Sequence, residues 1–266
     1  MEFEFSELRH LGGIRKETIL DMHRCGITTI AQVAVMSIEE LITFRQIGRK
    51  TAIGLLANAQ AYHEQKPVWF DRLDNLYRPG GIFFDLETTY DTGIPWCWGW
   101  MEPDGTQRIV VSTSLGIPPI PEDVMLPGGL KITVVGHTDD AWTLLVQACV
   151  ANYGCPIYHW TKFDYNIMQS SAPYPENEIL GRVMIDLHAG YKSCVRLPLS
   201  STSLKPVSAY LGYGWQGYTD PFNAFMDYIN WLRSGDERLL ERACNYQRED
   251  VEALRLVWKW MVSQAG

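Results

Sequence analysis

The chain has 266 residues, of which 46% are hydrophobic and 20% charged, the composition of an ordinary soluble protein with ample material for a full core. That length allows one large domain, or a medium one with a small appendage. The net charge of −8 does not fit a nucleic-acid coat protein; a nuclease stays open, because acidic metal ligands lower the net charge and a bound cation reverses the field locally.

The cysteines Cys25, Cys97, Cys149, Cys155, Cys194 and Cys244 form no C-x-x-C pair, which argues against a zinc site. They are scattered through apolar contexts and read as reduced, mostly buried thiols, so a cytoplasmic location is expected. Met1 to Phe5 is acidic and lacks a signal-peptide pattern, and no apolar run approaches the roughly 20 residues that span a bilayer.

Residues 1 to 62 carry helical periodicity and no strand signature: Thr18–Met22, Ile30–Ala34, Ile38–Ile42 and Thr51–Leu56. Ser37 followed by Glu40 is a capping box. Two turns are alike. Leu11-Gly12-Gly13-Ile14-Arg15-Lys16-Glu17-Thr18 parallels Phe44-Arg45-Gln46-Ile47-Gly48-Arg49-Lys50-Thr51. Each leads through an isoleucine and basic residues to a helix start, whose free N–H groups suit a phosphate. The segment resembles a tandem helix-hairpin-helix domain, which implies non-specific contact with a DNA backbone. Arg15 replaces the second glycine of the first turn and Gln46 the first glycine of the second. Gly48, Arg49, Lys50 and Thr51 are the better phosphate-binding candidates. A small bundle used for packing or protein contact is the alternative. Residues 63–80, with Pro67, Pro79 and Gly80, read as a linker.

The second domain, residues 81–266, opens with Gly81-Ile82-Phe83-Phe84-Asp85-Leu86-Glu87-Thr88, a buried strand in which Asp85 and Glu87 share a face because strand side chains alternate. Two close carboxylates repel unless a cation lies between them, and hard oxygen ligands suit Mg²⁺ or Mn²⁺. By itself the pair also reads as a polar strand end. Pro95–Trp100 and Arg108–Ser112, around the turn Pro103-Asp104-Gly105, predict a hairpin, hence a three-strand antiparallel meander. Residues 117–130 read as a Pro- and Gly-rich loop, 139–152 as a helix and Pro156–Trp160 as the next strand. The fold class this order implies is α/β, a ribonuclease H-like mixed sheet flanked by helices and preceded by the small all-α domain.

Two later stretches supply partners. Asp164 follows the strand ending at Trp160 and opens a short helix, where it also reads as an N-cap. Tyr246 and Asp250, at i and i+4, share one face of a C-terminal amphipathic helix with Val251, Leu254, Val257 and Trp260 in its apolar stripe. Together the stretches resemble the DEDD exonucleases of the ribonuclease H-like superfamily, in the branch with tyrosine in its last motif. Asp85 and Glu87 match the first motif, Asp164 the second, Tyr246 and Asp250 the third. The likeness covers about residues 81–262 and extends to Val183–Leu187 and Ser203–Gly212.

The resemblance implies two divalent cations, Mg²⁺ or Mn²⁺, held by Asp85, Glu87, Asp164 and Asp250, with Tyr246 orienting the attacking water, and release of mononucleotides from a 3′ end. It implies nucleic acid as partner, and the N-terminal module favours DNA over RNA. His159 reads as a packed strand residue, Asp186 as a strand-end cap or a neighbour of the site, and Lys205 as a phosphate contact or a solvated lysine. Trp215 and Tyr218 lie in a Gly-rich stretch that suits base stacking. A restriction-type nuclease would need E-x-K, and Glu87-Thr88-Thr89 has no lysine. A catalytically silent nucleic-acid-binding module, or a protein scaffold, is the reading from another class.

Overall fold

The computed structural model describes residues 6–73, 77, 80–114, 117, 120–218 and 220–264. The N-terminal part is a 3₁₀ turn, Glu7–His10, and four helices: α1 (Lys16–Arg24), α2 (Ile30–Ala34), α3 (Ile38–Leu41) and α4 (Arg49–Glu64). Thr29 with Gln32, and Ser37 with Glu40, close reciprocal capping boxes that fix the starts of α2 and α3. Leu8, Ile19, Met22, Val33, Leu41 and Ala52 form its buried core.

The two similar turns share one backbone conformation. Gly13 and Gln46 both take positive φ, at 82° and 67°. Arg15 and Gly48, the N-caps of α1 and α4, are both extended, at φ −92° and −83°. The slot filled by Arg15 therefore needs no glycine, whereas Gln46 occupies a left-handed position that glycine adopts at lower cost. The Thr18 hydroxyl donates to the Arg45 carbonyl at 3.0 Å, tying one turn to the other.

The strand β1 (Val68–Trp69) follows α4, and the main sheet then begins. It contains β2 (Ile82–Thr88), β3 (Pro95–Met101), β4 (Gln107–Ser112), β5 (Glu122–Met125) and β6 (Lys131–Val135). After α5 (Thr138–Ala151) come β7 (Ile157–His159), α6 (Lys162–Ser171), α7 (Glu176–Val183) and β8 (Met184–Asp186). The seven strands lie in the order β5-β6-β4-β3-β2-β7-β8. The β2–β3–β4 meander is antiparallel, and β7 and β8 add to it in parallel. The sheet is mixed and flanked by helices, as the sequence implies. One difference is β5. It lies within the stretch read as loop and pairs antiparallel with β6 at the sheet edge. Glu122, Asp123 and Met125 are exposed there, so β5 has no buried face to print an apolar alternation on the sequence.

The chain continues through α8 (Leu187–Cys194), β9 (Val195–Arg196), α9 (Leu204–Tyr210), α10 (Pro221–Ser234) and α11 (Glu237–Gln264). On one face of the sheet, Phe84, Leu86, Trp98 and Trp100 bury against α5, α6 and α7. On the other, Trp96, Cys97, Ile109 and Val111 pack with Ala224 and Tyr228 of α10 and Leu240, Ala243 and Cys244 of α11. Trp96, Trp98, Trp100 and Trp142 are all fully buried, so much of the tryptophan excess is core.

The chain forms two compact units, one of Met1–Asn75, His188–Val207 and Gln264–Gly266, the other of Leu76–Leu187 and Ser208–Ser263. Residues 188–207 thus group with the N-terminal helices, by identifiable contacts. β9 pairs antiparallel with β1. Asn58 of α4 is buried, accepts from the Gly12 amide at 2.7 Å and donates to the Leu197 carbonyl at 3.2 Å. Arg196 lies over the Phe70 ring, 5.1 Å from its centroid. A Cβ at Gly54 would stand 2.7 Å from Arg196 Nη2, so the guanidinium lies close over the α4 backbone there.

Candidate metal-binding active site

Along β2 the even positions Phe84 and Leu86 enter the core beneath α5, which turns Asp85 and Glu87 to the α11 side. There Phe83 packs edge-on against Trp258 of α11, with ring centroids 5.2 Å apart. α11 also carries Tyr246 and Asp250, both buried. Asp85, Glu87 and Asp250 each offer a carboxylate oxygen, and the three oxygens lie within 4.8 Å of one another.

Burial, then the charges of Asp250, Asp164 and Glu87, hold the Asp85 carboxyl well above the usual carboxylate range; a hydrogen bond from Gln247 works the other way. Gln247 Nε2 donates to Asp85 Oδ2 at 2.9 Å. The Tyr246 phenol donates to Asp250 and is pushed far above its ordinary value, first by burial and then by the charges of Asp250, Glu87 and Asp85. It is therefore protonated at neutral pH.

Asp164 stands in the first turn of α6, and the N-cap of that helix is Thr161, whose hydroxyl accepts from the Phe163 amide at 3.3 Å. Thr161 takes φ +79°, a costly conformation for a β-branched residue. The turn it makes lets His159 Nδ1–H donate to the Thr161 carbonyl at 2.5 Å, with the Asp164 carboxylate 3.7 Å from the same nitrogen. Both side chains are buried. Burial raises the Asp164 carboxyl, opposed by His159 and by the backbone amides of Asp164 and Leu86. Asp164 is outside the close trio, but it accepts from the amide between Asp85 and Glu87 and its charge reaches Asp85.

The structure thus brings Asp85, Glu87, Asp250, Tyr246 and Asp164 to one place. Carboxylates so crowded, with one proton affinity driven up by the others, are a donor set that a hard divalent cation relieves. Asp186 ends β8, paired in register with His159. Gly48, the N-cap of α4, and Arg49, Lys50 and Thr51 in its first turn are exposed. Arg49 lies 3.4 Å from Glu39, an exposed pair of little energetic weight.

Two residues of the site escape the sequence reading. Gly99 of β3 is the register partner of Asp85. A Cβ there would meet Gln247 Cγ at 2.6 Å and Nε2 at 2.8 Å. Gly99 lets α11 come close enough for Gln247 to reach Asp85. The signal was a lone glycine inside a tryptophan-rich strand, which marks close approach of another element.

Residues 135–262 match the family model of the RNase_H superfamily. That stretch takes in Asp164, Tyr246 and Asp250 and begins after β2. No curated protein matches the chain. The sheet order, the helices on both faces and this match define an RNase H-like domain, of a superfamily that includes nucleases. Among the described residues no helix is long and apolar enough to cross a membrane.

Proposed function

We propose that the protein is a metal-dependent 3′-5′ exonuclease that hydrolyses phosphodiester bonds of nucleic acid. The observation that carries this is the convergence of Asp85, Glu87 and Asp250 within 4.8 Å, with Asp164 adding its charge to Asp85. Two divalent cations, Mg²⁺ or Mn²⁺, would supply an activated water and stabilise the departing oxyanion.

Asp85 would be the ligand common to the set, since it feels all three other carboxylates. Glu87 and Asp250 would help to hold a cation that activates the water, and Asp164 would help to hold one that stabilises the leaving group. Tyr246 keeps its proton and orients the water by its hydroxyl; burial among carboxylates pushes it further from acting as a base. Gln247 holds Asp85 Oδ2 and so fixes the carboxylate plane.

Residues 1–62 serve in this reading as a helix-hairpin-helix nucleic-acid-binding domain. Gly48, Arg49, Lys50 and Thr51 offer phosphate the free amides of a 16-residue helix and two cations. This favours DNA over RNA as substrate.

The test is to incubate the protein with 5′-labelled single-stranded DNA and RNA in Mg²⁺, Mn²⁺ or EDTA. A ladder shortening from the 3′ end, absent in EDTA and in Asp85→Asn, is expected. Binding without cleavage would favour the silent nucleic-acid-binding module instead.

A further inference from the structure

Residues 212–218 are tied along one flank of α11. The Tyr213 hydroxyl donates to Glu252 Oε2 at 2.9 Å. The Gln216 amide donates to Glu249 Oε1 at 2.8 Å and the Gly217 amide to Glu249 Oε2 at 3.2 Å. Arg242 Nε donates to the Tyr218 hydroxyl at 3.1 Å, and the same guanidinium grips Asp227 of α10 with two bonds of 2.9 and 3.0 Å.

Glu249 is the unexpected member. It is 3% exposed and immediately precedes Asp250 in the chain. Burying a carboxylate is costly unless donors meet it. Here each oxygen receives one of two consecutive backbone amides. A carboxylate presents an acceptor to each amide, whereas a carboxamide would set an NH₂ donor against one of them. At i+3 from Tyr246, Glu249 neighbours the helix face that carries the site. The loop it holds has exposed glycines at 214 and 217, and a half-buried Trp215 whose ring meets Tyr213 edge-on at 4.9 Å.

We propose that Glu249 is a positioning residue: through the Gln216 and Gly217 amides it fixes loop 212–218 as a wall beside the site, where Trp215 stacks on an unpaired nucleobase of the substrate strand. The proposal rests on the nuclease reading above. The carboxylate acts on the loop, not on the water. Its loss therefore weakens substrate binding and leaves the chemical step alone. Aromatic stacking tolerates any base, so the wall selects single strands without selecting sequence.

The experiment compares wild type, Glu249→Gln, Glu249→Ala, Trp215→Ala and the Glu249→Ala/Trp215→Ala pair. Three quantities are read: hydrogen exchange of the segment 212–218, affinity for a single-stranded oligonucleotide in Ca²⁺, and KM and kcat in Mn²⁺. In Glu249→Ala the segment loses protection, Kd and KM rise at least about fivefold, and kcat stays within about twofold. Glu249→Gln, which keeps the side-chain shape and one acceptor, falls between. Trp215→Ala raises KM to the same extent with protection kept, and the double variant adds little, because both act through one contact. Unchanged KM in Glu249→Ala and Glu249→Gln, or a fall in kcat alone, overturns the proposal while wild-type cleavage leaves the nuclease reading standing. A wild type that neither binds nor cuts overturns both.

Discussion

Gly99→Ala is the most revealing substitution, because it adds one methyl group between the two elements that carry the acids. The new Cβ would lie 2.6 Å from Gln247 Cγ and 3.1 Å from Val251 Cγ2. Carbon atoms pack at about 3.5–4.0 Å, so the first contact is roughly 1 Å too short. Either α11 retreats from β3, or Gln247 leaves Asp85. Overpacking a core costs about 1–3 kcal/mol. Losing the bond to a charged carboxylate costs about 1.5–3 kcal/mol. Alanine recovers only about 0.5–1 kcal/mol of backbone entropy in a strand, so the clash wins. A net loss of about 1–2 kcal/mol lowers Tm by about 2–8 °C for a domain of this size. A retreat of α11 moves Asp250 and Tyr246 from Asp85 and Glu87, and about 1 Å of misplacement costs on the order of 10²-fold in rate. The assay is a thermal melt with single-turnover cleavage in Mn²⁺, run beside Gln247→Ala and the double variant. In the double variant the methyl occupies vacated space, so the melt recovers relative to Gly99→Ala while the rate does not. Unchanged Tm and rate in Gly99→Ala would refute the close approach of α11 to β3 as the device that assembles the site.

Other consequences follow from the same geometry. Asp85 has a folded pKa above its unfolded value of about 3.9, so its contribution to stability is complete below that pH and is lost as pH rises through the folded pKa. Metal-free wild type should therefore lose Tm with rising pH more steeply than Asp85→Asn; equal slopes would contradict the assignment. Tyr246→Phe keeps the ring and removes the hydroxyl, and should cut kcat by about 10²–10⁴-fold with substrate affinity kept; an unchanged kcat would make the tyrosine structural. Arg49→Glu with Lys50→Glu should weaken oligonucleotide binding most at low salt and flatten the salt slope. Point substitution is the cleaner test than truncation, since deleting residues 1–62 would also uncover Leu197, which Asn58 ties to α4.

The sequence made the sheet legible where a strand has a face to bury. Ile82–Leu86 and the hairpin of β3 and β4 print alternation or apolar runs, and the capping box at Ser37 marks a helix start by local chemistry. The edge strand β5, mostly exposed, prints nothing. The acids were legible from residue type and from strand and helix spacing: Asp85, Glu87, Asp164, Tyr246 and Asp250 all come together in the structure. Their supports were not. Gly99, Gln247 and Glu249 act through distances across the chain, and no spacing encodes a glycine on β3 that makes room for a side chain on α11. The grouping of residues 188–207 with the N-terminal helices was hidden for the same reason, since Asn58 meets Leu197 from 139 positions away.

If these carboxylates hold divalent cations, the ions bind without substrate. Calorimetric titration of the metal-free protein with Mn²⁺, without nucleic acid, tests it most directly. Two ions per chain are expected, with one site lost and the other weakened in Asp164→Asn, and binding abolished in Asp85→Asn. A wild-type protein that takes up no Mn²⁺ at millimolar concentration, or variants that bind as it does, would contradict it.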